Sequence, residues 1–194
     1  MTPEIYKSIQ GWFSYKWLYE LASYRFKDNA TFIEIGNWKG QSLMFLKEIT
    51  DINCIDCWIY GIDGQFYDNV AEELRHNILE SNLYLTNRNI ELLKGDSSDS
   101  AKGFEDNSVD FVFIDAGHQY HEVKKDIEAW LPKVKSKGWV CFHDINSSID
   151  PGVDQAIEEL LGLNKLIIGV DTDYFTPDPH CVAPPMKSGI YIKP

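Results

Sequence analysis

Missing from this sequence is any apolar run approaching the ~20 residues that a membrane-spanning helix needs. The first residues set Glu4, Lys7 and Lys16 among aromatics, in place of the basic start and apolar centre of a secretory leader. The expectation is a cytoplasmic protein with no membrane partner. Positive charge is scarce: Lys and Arg number 18 against 30 Asp and Glu, a formal net charge of −12. A nucleic-acid backbone requires a basic face, so nucleic acid is disfavoured as partner. Cysteines are few, at four. Cys54 and Cys57 form a C-x-x-C, but Cys141 and Cys181 supply no second close pair for zinc. Cys141 sits in an apolar run and reads as core, and the thiols are expected free in a reducing compartment. Repeats and low-complexity tracts are absent.

What is present suits one soluble domain. The 194 residues are 44% hydrophobic and 25% charged, ordinary values for a globular chain with a substantial core. Residues 1–30 carry Ile5, Ile9, Trp12, Phe13, Tyr15, Trp17, Leu18 and Leu21 largely at helical spacings, with Gly11 as a break. This segment reads as one or two helices packed on the domain. Two alternatives are an aromatic wall or lid on a pocket and a contact between two copies of the chain.

The organising stretch is Thr31 to Ser42, TFIEIGNWKGQS. A β-branched apolar run breaks at Gly36, Gly40 follows, and a helical pattern starts at Gln41. Strand, glycine turn and helix build a pocket for a nucleotide-like ligand in α/β proteins, with free helix N–H groups facing it. The loop is neither the G-x-G-x-x-G of dinucleotide folds nor the G-x-x-x-x-G-K-[ST] of a phosphate loop. Instead an acid, Glu34, precedes G-x-x-x-G. It would repel a pyrophosphate but suit a cationic ligand; alternatively, it caps backbone amides.

Further strands end in polar residues. Trp58 to Asp63 is a strand closing on an acid, a position suited to a ribose diol, with Gly64 allowing close approach. Ile90 to Lys94 runs into Gly95-Asp96-Ser97-Ser98, where Asp96 or Ser97 caps a short helix near Ser100 or faces a ligand base. Val70 to Asn82 is an amphipathic helix between them. Val109 to Ile114 ends in Asp115-Ala116-Gly117-His118, a helix follows from about Tyr120 to Val134, and Trp139 to Phe142 ends in His143-Asp144. Two successive strands thus finish in an acid and a histidine at the edge where open α/β sheets place their sites. Each of these residues alone is more often structural. A helix over about 153–163, a strand over 166–170, a proline-rich loop and a short last strand over 189–192 complete the chain. The loop is a candidate substrate-facing segment.

The acid before G-x-x-x-G resembles the first motif of class I S-adenosylmethionine-dependent methyltransferases. Joined to F-I-D-A-G-H, K-G and F-H-D, it resembles, over roughly residues 10–155, a family that includes macrocin-type sugar O-methyltransferases and proteins called cephalosporin hydroxylases. The resemblance implies a three-layer α/β sandwich, Rossmann-like, with a mostly parallel seven-stranded sheet and an antiparallel last strand. Alternating strands and helices support the α/β class independently. It implies O-methyl transfer from S-adenosylmethionine to a hydroxyl of a small molecule or glycan. Glu34, Gly36, Asn37, Gly40, Ser42, Asp63, Gly64, Asp96, Ser97 and Asp115 would surround the cofactor. Asp115 and Asp144 would hold a magnesium ion, His143 opens the set towards a transition metal, and His118 would be the base. A third carboxylate is not identified: His121, Asp126 and Asp150 are near, and the helix turns Asp126 away. Two other classes remain: a non-catalytic domain that binds S-adenosylmethionine, and a nicotinamide oxidoreductase, disfavoured by the missing third glycine.

Overall fold

A computed structural model describes residues 5–11, 13–53, 57–63, 72–74, 77, 90–171 and 186–194. A seven-stranded sheet forms its centre: β1 (Thr31–Ile35), β2 (Trp58–Asp63), β3 (Ile90–Lys94), β4 (Val109–Ile114), β5 (Val134–Phe142), β6 (Ile167–Val170) and β7 (Lys187–Ile192). Their order across the sheet is β3-β2-β1-β4-β5-β7-β6. The pairs among β1 to β5 are parallel, and β7 runs antiparallel to both β5 and β6. The helices are α1 (Lys16–Arg25), α2 (Gln41–Asn53), the one-turn α3 (Ser97–Ser100), α4 (Tyr120–Trp130) and α5 (Pro151–Leu160).

Strand alternation divides the core into two layers. Phe32, Phe111 and Phe113 face α1, α2 and the N-terminal segment, forming an aromatic layer with Phe13, Tyr15 and Tyr19. Tyr15 and Tyr19 pack on Phe113 with ring centroids 4.4 and 5.4 Å away. Ile33, Ile35, Val112 and Ile114 face the other way, onto Val123, Ile127 and Trp130 of α4 and Val153 and Ile157 of α5. The result is the expected three-layer sandwich. Among the described residues no helix is long and apolar enough to cross a membrane.

Most differences from the sequence expectation lie at element ends. Helix α4 stops at Trp130, with Leu131 as its cap, because Pro132 has no N–H to continue the ladder. That frees Val134 to begin β5, five residues before the apolar run, and the β4–β5 register shifts between Val109 and Phe111. Helix α5 begins at Pro151, whose fixed φ suits a first helical turn. The N-terminal segment is a short 3-10 helix, Ile5–Ser8, and then α1. Cys141 is buried in the core, and Cys57 is also buried. Trp12, Cys54, Gly64, Cys181, most of 70–82 and the proline-rich residues 172–185 lie outside the described residues.

Candidate active site

The carboxyl ends of β1 to β5 open onto one cavity of about 830 Å³. Its first wall is the loop after β1. Gly36 has φ +89° and Gly40 φ +84°, a left-handed conformation that favours glycine. Asp63, at the end of β2, secures this loop: its Oδ2 accepts the backbone N–H groups of Asn37 at 3.0 Å and Trp38 at 2.9 Å. Trp38 itself adopts φ +42°, uncommon for a bulky residue. Gln41, the first residue of α2, accepts the Phe13 N–H and donates to the Ile9 carbonyl, so the N-terminal segment lies along the same cavity.

Glu34 takes a different place from the one expected. It shares its strand face with Phe32 and points into the aromatic layer, fully buried. The Tyr19 hydroxyl donates to it at 2.6 Å and the Ser42 hydroxyl at 2.7 Å. It stands behind the cavity wall, whereas Gly36, Asn37, Ser42 and Asp63 are on it. Burial pushes its carboxyl up to about 7, against the opposing hydrogen bonds from Tyr19, Ser42 and Asn37. An acid whose folded pKa is raised from 4.5 gives stability that is complete below pH 4.5 and lost as pH rises through about 7. The ceiling is about 3 kcal/mol. Gln mimics the protonated acid, so Glu34→Gln is expected to flatten the fall in melting temperature between about pH 5 and 8. Parallel pH profiles of wild type and variant by thermal melting check this.

Asp96 also differs. Its Oδ1 accepts the Ser98 backbone N–H and hydroxyl, and its Oδ2 accepts Lys125 Nζ at 2.6 Å. It caps α3, and these bonds hold its carboxyl down at about 2. Asp126 is turned away from the Asp115–His118–Asp144 cluster, as expected of a third carboxylate, but it is buried and lines the cavity elsewhere. Burial lifts its carboxyl to about 6, opposed by the Ser97 hydroxyl.

The ends of β4 and β5 meet at the opposite side of the cavity. His118 Nε2 lies 3.0 Å from Asp144 Oδ2, and its Nδ1 lies 3.7 Å from Asp150 Oδ1. His143 Nδ1 is 3.0 Å from that same Asp144 oxygen and 3.3 Å from Asp115 Oδ1. Its Nε2 faces Ser14 Oγ at 3.4 Å and the buried Asp171 at 3.5 Å. Burial opposes charge on His143, yet Asp115, Asp144 and Asp171 outweigh it and hold the imidazole well above its usual range. Burial likewise opposes charge on Asp144, but bonds from both histidines hold its carboxyl well below the usual range. The bond to Asp144 raises His118.

One atom each of Asp115, His118 and Asp144 lie within 4.8 Å of one another, a spacing at which they could share a cation. His143, expected as a further ligand, is outside this set. Two participants were not singled out from sequence. Tyr15 lines the cavity and donates its hydroxyl to Asp115 Oδ2 at 3.2 Å. Asp171 accepts Trp17 Nε1–H and the Ser188 hydroxyl, each at 2.9 Å. The only hint of Tyr15 was the aromatic crowding of residues 1–30.

Comparisons with known proteins bear on this site. Residues 33–145, more than half the chain, match the family model described as a methyltransferase domain. An uncharacterized protein of Sinorhizobium fredii is 34% identical over 95 residues, covering 49% of this chain and 10% of that protein. An uncharacterized protein of Acanthamoeba polyphaga mimivirus is 27% identical over 156 residues, covering 78% of this chain and 65% of that protein. The chain thus spans less than two thirds of either relative. An O-methyltransferase of Bacillus cereus, solved in complex with SAH, superposes with TM-score 0.62 at 17% identity, covering 92% of this chain and 78% of that one. CalS11, a TDP-rhamnose 3'-O-methyltransferase of calicheamicin biosynthesis, gives 0.63 at 16% identity, covering 89% and 75%. These structures share the fold. With its sheet order, its glycine loop and the span of the matched domain, the chain belongs to the methyltransferase-domain family.

Proposed function

We propose that the protein transfers the methyl group of S-adenosylmethionine to a hydroxyl of a small molecule or sugar. One observation carries the reading: the glycine loop secured by Asp63 and the Asp115–His118–Asp144 cluster open onto one cavity. Gly36, Asn37, Gly40, Ser42 and Asp63 would hold the nucleoside amino acid, and the acceptor would lie beside Asp115 and His118. Asp144 accepts from Nε2 of His118 and thereby fixes the tautomer that leaves Nδ1 as base. In the reaction the carbon–sulfur bond breaks, the carbon–oxygen bond forms, and the hydroxyl proton passes to His118. Asp150 stands beside the imidazolium so formed. The thioether product leaves uncharged at sulfur.

The two carboxylates of this cluster, Asp115 and Asp144, fit a divalent cation and as hard oxygen donors suit magnesium, while His118 beside them keeps its Nδ1 for the hydroxyl proton. A cation there would supply a lowered hydroxyl pKa and a fixed orientation for the acceptor. Calorimetry with S-adenosylhomocysteine, with and without Mg²⁺ or Mn²⁺, tests both parts. Binding on the order of micromolar is expected. Failure to bind, or protection from melting by NAD instead, overturns the reading.

A further inference from the structure

Asp126 is a buried acid on the cavity wall to which the reading above gives no role. It is 7% exposed and is held from behind through α3. The Nε1–H of the fully buried Trp130 donates to Ser97 Oγ at 2.8 Å, and the Ser97 hydroxyl bonds Asp126. The carboxyl is therefore held in place by a hydrogen-bond chain rooted in the core. Asp96 is committed elsewhere, to the α3 cap and to Lys125.

The sheet order fixes which part of a ligand reaches Asp126. From Asp115 the cavity runs past the end of β1 to Asp63 on β2, and then to Ser97 beyond β3. A nucleoside whose ribose meets Asp63 and whose sulfur points to Asp115 sends its base towards Ser97 and Asp126. Adenine presents an exocyclic amino group there, and a carboxyl shielded from water is a selective acceptor for such a donor.

We propose that Asp126, in place of Asp96, accepts the exocyclic amino group of the cofactor's adenine and so selects that base. The proposal rests on the S-adenosylmethionine reading of the site. Its carboxyl, lifted by burial to about 6, also offers adenine N1 an O–H when protonated.

The test is calorimetry with two ligands, S-adenosylhomocysteine and its 6-deamino analogue, which carries purine for adenine. Wild type is expected to bind the analogue about 10- to 100-fold more weakly. Asp126→Ala is expected to bind both within about threefold of each other, mainly by losing affinity for the adenine ligand. Asp126→Asn keeps a carbonyl oxygen in place and retains the discrimination. A purely structural Asp126 would leave the ratio of the two affinities unmoved. Wild type binding both ligands equally overturns the proposal without any variant. So does discrimination that survives Asp126→Ala. Asp126→Leu, apolar and of similar shape, replaces the alanine variant if that one unfolds. Wild type binding neither ligand sinks the S-adenosylmethionine reading itself, a separate outcome.

Discussion

Gly36→Ala is expected to weaken S-adenosylhomocysteine binding more than about 100-fold and to lower stability by roughly 3 kcal/mol. Gly36 has φ +89°, and a Cβ built there overlaps the carbonyl oxygen of Asp115. Backbone meets backbone, so no rotamer change relieves the overlap. Both sides are also pegged: the Gly36 N–H donates to the Ile62 carbonyl at 2.8 Å, and the Asp115 N–H to the Ile35 carbonyl at 2.9 Å. Any shift that admits the methyl group moves the loop away from Asp115. Gly95→Ala is the control, because its φ is also positive but nothing lies within 4 Å of the added carbon. There only the backbone strain of about 1 kcal/mol remains. Urea denaturation and calorimetry on the two variants separate overlap from strain.

Asp144→Asn is expected to weaken Mg²⁺ or Mn²⁺ binding more than about 100-fold, to leave S-adenosylhomocysteine affinity within about threefold, and to destabilise the fold by about 3 kcal/mol. Asp144 has φ +57°, which asparagine tolerates, so the change isolates the charge. One oxygen of Asp144 faces both histidines at 3.0 Å, and the variant leaves the buried His143 with less compensation. The deficit has a definite pH window. Asp144 is held below its ordinary 3.8, so its contribution is present above that value and lost as pH falls further. His118 is held above its ordinary 6.5, so its contribution is full below 6.5 and lost as pH rises through the folded value. The difference between wild type and variant is therefore largest between about pH 4 and 6.5 and narrows on either side. Denaturation at three pH values checks this, and ¹H NMR is expected to show His118 titrating nearer 6.5 in the variant.

The parallel half of the sheet was legible because β1 to β4 are short apolar runs, each closed by a glycine or acid where the chain must turn. The same signals gave the cavity edge, since strands that end on one side place their terminal residues together. The placement of Glu34 was not legible. Alternation says that it shares a face with Phe32, but only the packed tyrosine of α1 shows that face to be closed to solvent. Asp126 was missed for a related reason. It lies on the covered side of α4, and only the folded structure shows that the cavity, lined there by Ser97 and Asp126, extends to that side. Tyr15 and Asp171 belong to segments whose own pattern carries no motif, and Asp115, bonded by Tyr15, and Trp17, bonded to Asp171, are 100 and 154 residues away from them in sequence.

Strand β6 carries a consequence for how the chain acquires its shape. Within the described residues its sole sheet neighbour is β7, which follows it in sequence and runs between it and β5. So β6 joins the sheet only after β7 has been synthesised and has paired with β5. Until then Ile167, Ile168 and Val170 form an apolar strand without a sheet to join, and even in the finished protein Ile167 and Val170 are more than half exposed. Such a strand is prone to pair with another chain. During production of the protein, a translational pause between β6 and β7 is the moment of greatest aggregation risk.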